Sequence, residues 1–253
     1  MWKMRLLRKE VDNLIIVLLF SSLFLVLFTL PEINSYSFNE YIIGISIVFL
    51  LSLFLLKKYG FIRWSLILIL FLLFTLIRED ISILTSSLVF ILFPFYWLKL
   101  EGKKYNSILK EYGLIVKDKL KIIISGILGL FLIIFIVGLI GSIFYFFGIN
   151  DQANVKEVVK SLPWIAFPIA VLIAPIAEEI FFRGFLLKKV GILISAVIFA
   201  LLHFAYGSIV EITVAFVIAL LLSYLFIKTK SLWPSIIAHG LFNLMSLIVM
   251  WFL

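Results

Sequence analysis

Two histidines, a glutamate and an asparagine are the side chains of this sequence best suited to hydrolytic chemistry. The only histidines are His203 and His239, and both fall within apolar runs of the chain. Glu178 lies in a third apolar run, and Asn243 follows His239 by four residues. A carboxylate can act as a general base on water, while imidazole and amide groups can hold the water or stabilise an oxyanion. These four residues are therefore the candidate catalytic residues.

Helical spacing predicts the partners of the charged groups. Glu179 and Arg183 are four residues apart with the glutamate first, which is the favoured order for an ion pair along a helix. This pair can neutralise itself, and we expect it to be structural. Glu178 points about 100° away from Glu179 and must find a partner on another helix, a proton or water. Phe199 and His203, also four residues apart, are expected to share a face of the next helix.

The candidate residues also agree in depth. At a rise of about 1.5 Å per residue, Glu178, His203, His239 and Asn243 lie roughly 10–20 Å from the ends of their apolar runs, close to the middle of a core about 30 Å thick. His239 and Asn243 share one helical face, so they can act on one ligand. Charged groups at that depth are costly and are functional candidates by default. We therefore expect three helices to bring these polar groups together.

The composition explains what must position these residues. Hydrophobic residues make up 64% of the chain, charged residues 14%, and the mean hydropathy is +1.26. Soluble domains have about 45–50% apolar and about 25% charged residues. At about 20 residues per span, the chain of 253 residues has room for eight or nine spans. We predict an all-α, polytopic transmembrane helix bundle. The candidate spans are 13–30, 41–56, 62–77, 81–98, 122–147, 162–187, 190–206, 209–227 and 232–253.

The distribution of charge predicts the orientation. With nine spans and a cytoplasmic N-terminus, 19 of the 22 lysines and arginines fall on the inner side, as the positive-inside rule requires. The net charge of +8 is then explained by loops that face anionic lipid, and no nucleic acid is expected. The first run, 13–30, is expected to remain as a span and not to be cleaved as a signal peptide. These features predict a multi-pass protein of the cell membrane.

Three short motifs occur in order on successive predicted helices. They are Glu178-Glu179-x-x-x-Arg183, Phe199-x-x-x-His203 and His239-x-x-x-Asn243. This set resembles the signature of the CAAX prenyl protease and bacteriocin-processing family, also called Abi. The resemblance covers about residues 160–250, so we divide the chain into N-terminal transmembrane helices without a recognised motif, 1–121, and a protease-like core, 122–253. Only 25 residues separate Glu178 from His203, which predicts a tight turn near Lys188–Val190.

The resemblance implies a division of roles among the site residues. Glu178 and His203 would activate water, and His239 and Asn243 would stabilise the oxyanion. The remaining motif residues, Glu179, Arg183 and Phe199, would orient the helices. The implied activity is that of an intramembrane endopeptidase whose substrate is a membrane-associated or lipidated protein or peptide, with or without a prenylated CAAX end.

A metal is an open alternative at this stage. Glu178, His203 and His239 form a set of two histidines and one glutamate, which suits catalytic zinc with water in the fourth position. However, each ligand would come from a separate helix, and the sequence His-Glu-x-x-His is absent. Because the chain has no cysteine, thiolate metal sites and disulfides are excluded. We expect no cofactor, with zinc as the disfavoured alternative.

Two other functions are compatible with the same residues. A proton- or ion-coupled transporter could use Glu178 and the histidines as a relay, but the sequence shows no inverted repeat of the kind many transporters have. A non-enzymatic immunity or scaffold protein could keep the motifs as relics, although all four candidate catalytic residues are present here. The peptidase is therefore the favoured prediction.

Overall fold

A computed structural model describes residues 82–116 and 118–252, which lie in the second of two structural units, Glu79–Leu253. Every regular element within these residues is helical. The all-α prediction is thus confirmed for the described part of the chain. The predicted spans 13–30, 41–56 and 62–77 lie outside the described residues.

Eight helices, numbered here α1 to α8, make up the described segments. They are α1 Ser82–Leu100, α2 Tyr105–Glu111, α3 Lys119–Phe146, α4 Gln152–Ser161, α5 residues 166–190, α6 Ile192–Leu201, α7 Ile209–Thr229 and α8 Trp233–Phe252. A short 3₁₀ helix, Leu202–Tyr206, continues α6. The six predicted spans that fall on described residues correspond to α1, α3, α5, α6, α7 and α8.

Three of the described helices are long and apolar enough to cross a membrane, namely α3, α7 and α8. Shorter apolar stretches occupy Ser86–Lys99 in α1 and Ile192–Phe204 in α6. These helices indicate a membrane protein, as the composition predicts. The count of eight or nine spans and the cytoplasmic N-terminus stay predictions. The helices α2 and α4 were not predicted from the apolar runs, because both are short and polar.

Helix α5 is helical throughout but is not a uniform α-helix. Its segments Ile169–Ile173 and Glu179–Leu186 have π-helical hydrogen bonding, with α-helical turns between and around them. A π-helical turn holds an extra residue and rotates the side chains that follow it, and such turns are frequent at functional sites. The helix begins at residue 166, four residues later than the predicted span 162–187. Its charged residues Glu179 and Arg183 lie in the second π-helical segment, where the helix is wider.

Close packing between α3, α7 and α8 builds the apolar core of this unit. Buried side chains from the three helices form one cluster: Ile133, Val210, Val214, Ile218, Leu222 and Ala238. Two glycines of α3 permit the close approach, since a Cβ at Gly126 would lie 2.8 Å from Ile237 and one at Gly129 would lie 2.8 Å from Leu225. Small residues at helix contacts are the usual means of association in lipid, where burial of apolar surface gives little driving force.

Aromatic side chains attach α1 to α5. The ring of Phe90 stacks on Phe181 at 4.7 Å, and Phe93 meets Phe185 edge to face at 5.6 Å. Such ring pairs contribute about 0.5–1.5 kcal/mol beyond their buried area. Helix α1, which precedes the predicted boundary at residue 121, thus packs directly on the helix that carries Glu178. The division into 1–121 and 122–253 stays a prediction about function.

One residue connects α5 to α6. Helix α5 ends at Val190 and α6 begins at Ile192, with Gly191 between them at φ +88°. Glycine adopts this conformation without the steric cost that a Cβ would bring. The tight turn predicted near Lys188–Val190 is present, and it returns the chain directly to the level of the motif residues.

The surface segment, residues 101–116, is fixed to the ends of three helices. The Ser231 hydroxyl donates to the Gly113 carbonyl at 2.8 Å, and the Trp233 indole N–H donates to the Leu114 carbonyl at 2.9 Å. Both contacts lie where α7 passes into α8. The surface segment therefore sets the position at which α8 begins, one and a half turns before His239.

Ion pairs join the same surface segment to the end of α5. Lys188 donates to the Glu111 carbonyl at 2.8 Å, Lys103 lies 2.6 Å from the Glu111 carboxylate, and Lys189 lies 2.6 Å from Glu101. Burial raises the pKa of the Glu111 carboxyl, but the hydrogen bond from Lys103 and the charges of Lys188 and Lys103 lower it below its usual value overall. Glu111 is therefore ionised at neutral pH and holds two helices together.

The glycine at the centre of this attachment provides a test. In the Gly113→Ala variant the new Cβ would lie 2.1 Å from the Lys230 carbonyl oxygen, at a backbone φ of +61°. Strained φ costs roughly 1–2 kcal/mol and overpacking roughly 1–3 kcal/mol more. Gly102→Ala is the matched control, because Gly102 also has positive φ (+83°) but has no atom within 4 Å of the new Cβ.

We expect Gly113→Ala to lower the thermal unfolding midpoint of the detergent-solubilised protein clearly more than Gly102→Ala. Intrinsic tryptophan fluorescence measures this midpoint without a label. Equal midpoints for the two variants would show that the surface segment does not hold the helix ends.

Candidate functional site

The buried pair Glu179–Arg183 is the centre of the polar site. The Arg183 Nη1 atom lies 2.9 Å from the Glu179 Oε1 atom, and the side chains are 1% and 0% exposed. The predicted i, i+4 ion pair is therefore present. Arg183 also reaches beyond α5: its guanidinium lies 4.6 Å above the ring of Phe199 and its Nη2 donates to the Ala219 carbonyl at 3.4 Å. This one side chain thus connects α5 to α6 and α7.

Glu179 has a second partner that helical spacing did not predict. The same Oε1 atom lies 2.9 Å from Nδ1 of His239 on α8. Because a carboxylate paired with arginine is ionised and can only accept, Nδ1 of His239 must carry the hydrogen and donate it. The neutral imidazole then keeps a lone pair on Nε2. Glu179 therefore sets the tautomer of His239. The sequence motifs predict for Glu179 only the role of orienting the helices.

Glu178 faces the other nitrogen of the same ring. Its Oε2 atom lies 3.7 Å from Nε2 of His239, with the two side chains 23% and 5% exposed. Glu178 thus faces His239 on another helix, which is one of the three alternatives that its helical position left open. The separation is too long for a direct hydrogen bond. A water molecule placed at about 2.8 Å from each of the two atoms would bond to both.

His203 packs against the Phe199 ring. Its ring centroid is 4.9 Å from that of Phe199, which in turn is 5.9 Å from the ring of His239. Nδ1 of His203 lies 3.0 Å from the carbonyl of Phe199, so this nitrogen donates and Nε2 is an acceptor. The predicted shared face of Phe199 and His203 is confirmed. Phe199 thus contacts both histidines and also lies against the Arg183 guanidinium.

Tyr206 is a neighbour of the site that the motifs did not indicate. Its ring centroid lies 5.9 Å from that of His203. In a 3₁₀ helix residues three apart are eclipsed, and Tyr206 follows His203 by three. The sequence did not indicate Tyr206 as a site residue, because it does not show that α6 ends in a 3₁₀ turn.

Asn243 is anchored to the backbone of α5. Its Nδ2 atom donates to the Ala170 carbonyl at 2.9 Å, which leaves the second amide hydrogen and the side-chain oxygen available. The helices approach closely here, since a Cβ at Gly240 would lie 2.8 Å from the Val171 carbonyl oxygen. Ala170 and Val171 lie in the first π-helical segment of α5. The widened helix therefore offers a carbonyl that fixes Asn243 one turn beyond His239.

The alternative zinc set was compared with this geometry. Within residues 82–116 and 118–252, no three histidine or carboxylate side chains converge so that they could hold a metal ion. Within the set Glu178, His203 and His239, Glu178 and His239 face each other at 3.7 Å. The donors in the described segments do not fit a three-ligand zinc site, and hydrolysis without a metal stays a prediction.

Comparison with known proteins finds a family model that covers this site. Residues 160–245, which include every motif residue, match the family model described as "Type II CAAX prenyl endopeptidase Rce1-like". The protein named "Putative membrane peptidase YdiL" from Bacillus subtilis (strain 168) is 31% identical over 134 residues, which are 48% of this chain and 53% of that protein. The alignment thus spans about half the length of this relative. No solved structure matches the chain. The resemblance to the CAAX protease and bacteriocin-processing family is confirmed.

The buried arginine gives a prediction about stability. Arg183→Ala leaves Glu179 as an uncompensated charge with no exposure to solvent, so we expect a loss of about 3–5 kcal/mol in the free energy of unfolding. Lys189→Ala is the matched control, because it removes a cation whose pair with Glu101 is partly exposed and worth about 0–1 kcal/mol.

The unfolding midpoints of the two variants in one detergent provide the measurement. An Arg183→Ala midpoint as high as that of Lys189→Ala would mean that Glu179 is not ionised in the folded protein.

Proposed function

We propose that the protein is an intramembrane endopeptidase that hydrolyses a membrane-associated or lipidated protein or peptide. The observation that carries the proposal is the position of one imidazole between two carboxylates. His239 is held by Glu179 at 2.9 Å through Nδ1 and faces Glu178 at 3.7 Å through Nε2. The family model and the relative's name agree with peptide hydrolysis.

Glu178 is the general base in this proposal. Its side chain keeps 23% exposure, so water can reach it, whereas Glu179 is fully buried and occupied by Arg183 and His239. A water molecule between Glu178 and His239 can bond to two proton acceptors, the Glu178 carboxylate and Nε2 of His239. His203, with an acceptor at Nε2, helps to hold the water. This assignment keeps the two adjacent glutamates in different roles, one catalytic and one orienting.

Proton transfer follows from the tautomer of His239. As the water oxygen bonds to the scissile carbonyl carbon, one of its protons passes to Glu178 and then to Nε2 of His239. The imidazolium is stabilised by the ionised Glu179 at Nδ1, as in a Ser-His-Asp triad. Its Nε2–H donates to the oxyanion and then gives the proton to the leaving amine as the C–N bond breaks. The free amide hydrogen of Asn243 is the second oxyanion donor.

The substrate class is part of the proposal. A site among apolar helices favours a peptide that is already in the membrane, and a prenylated CAAX end is the first candidate because the matching family model is named for it. We also propose that the protein is a multi-pass protein of the cell membrane with a cytoplasmic N-terminus, which the steep charge bias supports. The reaction needs no metal, because the base and the oxyanion donors are protein side chains.

The decisive variant is Glu178→Gln, which keeps the size of the side chain but removes the base. We expect cleavage by the purified protein to fall by at least about a hundredfold, the lower range for loss of general base catalysis. Glu157→Gln, on the exposed side of α4, is the matched control and should retain full activity.

The assay compares a fluorogenic prenylated CAAX peptide with its unprenylated twin, each with and without a chelator. Cleavage of both peptides would show that the substrate does not need a prenyl group. Inhibition by the chelator would overturn the metal-free mechanism. Full activity of Glu178→Gln would overturn the assignment of the base.

The second variant is His203→Ala. Because the His203 ring is only half-buried and its hydrogen bond is local, we expect kcat to fall by roughly 10²–10⁴ with little change in the unfolding midpoint. Phe204→Ala, at the neighbouring and 57% exposed position, serves as the control. Unchanged kcat in His203→Ala would show that water is held by Glu178 and His239 alone.

A further inference from the structure

A second polar site lies at the end of the bundle where α5 carries Lys188 and Lys189. A pocket of about 410 Å³ opens between the end of α2, the first turns of α3 and the connection from α7 to α8. We call it the basic pocket, because three of its lining residues are Lys110, Lys121 and Lys230. It contains none of the motif residues.

The lysines of the basic pocket differ from their neighbours in having no anionic partner among the described residues. Lys103, Lys188 and Lys189 each form an ion pair that holds the surface segment. The ammonium groups of the three pocket lysines take part in no such pair within residues 82–116 and 118–252. The one acidic lining residue, Asp118, accepts a hydrogen bond from the Lys121 backbone N–H at 3.0 Å and caps α3. The pocket therefore carries an excess of positive charge that the protein's own described carboxylates do not balance.

Apolar surface continues from the basic pocket along a spanning helix. Ile115 and Ile122 line the pocket itself. Beyond them α3 exposes Leu120, Ile124 and Leu128, at 68%, 48% and 64%. Because α3 is long and apolar enough to cross a membrane, its first turn lies at the level of the lipid headgroups. Clustered lysines at that level attract anionic lipid.

We propose that the basic pocket binds the anionic phosphate headgroup of a phospholipid whose acyl chains lie along the exposed face of α3. Inorganic phosphate shares the headgroup chemistry but has no acyl chain, and the exposed isoleucines and leucines favour the lipid. The pocket is joined through Gly113 and Ser231 to the start of α8. Bound lipid would therefore brace the helix that carries His239 and Asn243.

The test uses the full-length protein, delipidated in a non-ionic detergent, and counts retained lipids by native mass spectrometry. The probes are phosphatidylglycerol, phosphatidylcholine and inorganic phosphate. A micelle without charge has no surface potential, so only a specific site retains a lipid. The pocket variant is Lys110→Gln/Lys121→Gln/Lys230→Gln. The matched control, Lys104→Gln/Lys119→Gln/Lys228→Gln, removes the same charge from exposed lysines outside the pocket.

We expect wild type and the control to retain phosphatidylglycerol over phosphatidylcholine. In the pocket variant the retention of phosphatidylglycerol should fall to the level of phosphatidylcholine, because the three ammonium groups that would hold the anionic headgroup are gone. Equal losses in both triple variants, or equal retention of the two lipids, would overturn the proposal. Retention of inorganic phosphate as strong as that of phosphatidylglycerol would also overturn it.

The single variants Lys121→Gln and Lys230→Gln repeat the measurement if the triple variant unfolds. Lipid retention is measured without any peptide substrate, so its failure is distinct from failure of the proposed peptidase activity.

Discussion

The buried ion pair between Glu179 and Arg183 organises the polar site and the helices around it. Moving a carboxylate and a guanidinium out of water costs several kcal/mol for each ion, and attraction between them repays this only with further partners. Here Glu179 has His239 as a further partner, and Arg183 has the Phe199 ring and the Ala219 carbonyl. Each of these partners comes from a different helix. The pair therefore gains these partners only when α6, α7 and α8 all stand in place around α5, which makes the site and the bundle depend on the same contacts.

This dependence explains why two adjacent glutamates behave so differently. Glu179 is held between a guanidinium and an imidazole, so its charge is neutralised and its geometry is rigid. Glu178 turns toward the ring's other nitrogen, and its side chain is 23% exposed. The two adjacent glutamates therefore have different surroundings, one fully buried between two partners and the other partly exposed. The imidazole of His239 connects the two carboxylates, because its Nδ1 faces Glu179 and its Nε2 faces Glu178.

The sequence predicted best what local spacing controls. The helices follow from apolar runs, the Glu179–Arg183 pair from i, i+4 spacing, and the tight turn from the short interval between Glu178 and His203. The bond from His239 to Glu179 was missed because a carboxylate already assigned to one partner can still accept from a second. The anchoring of Asn243 on Ala170 was missed because π-helical turns leave no clear trace in an apolar sequence. Tyr206 was missed because the 3₁₀ end of α6 changes which residues are eclipsed.

The spacing of Glu179 and Arg183 on a single helix also bears on how the protein is made. Along the chain α5 precedes α8, so during synthesis Glu179 reaches the membrane before His239 exists. Two ionised residues on an entering helix would oppose insertion, but a counter-ion one turn away neutralises the carboxylate within the helix itself. The carboxylate of Glu179 therefore does not depend on α8 for its counter-ion. The candidate site is completed only when α8 arrives, so it is absent while the earlier helices are being inserted.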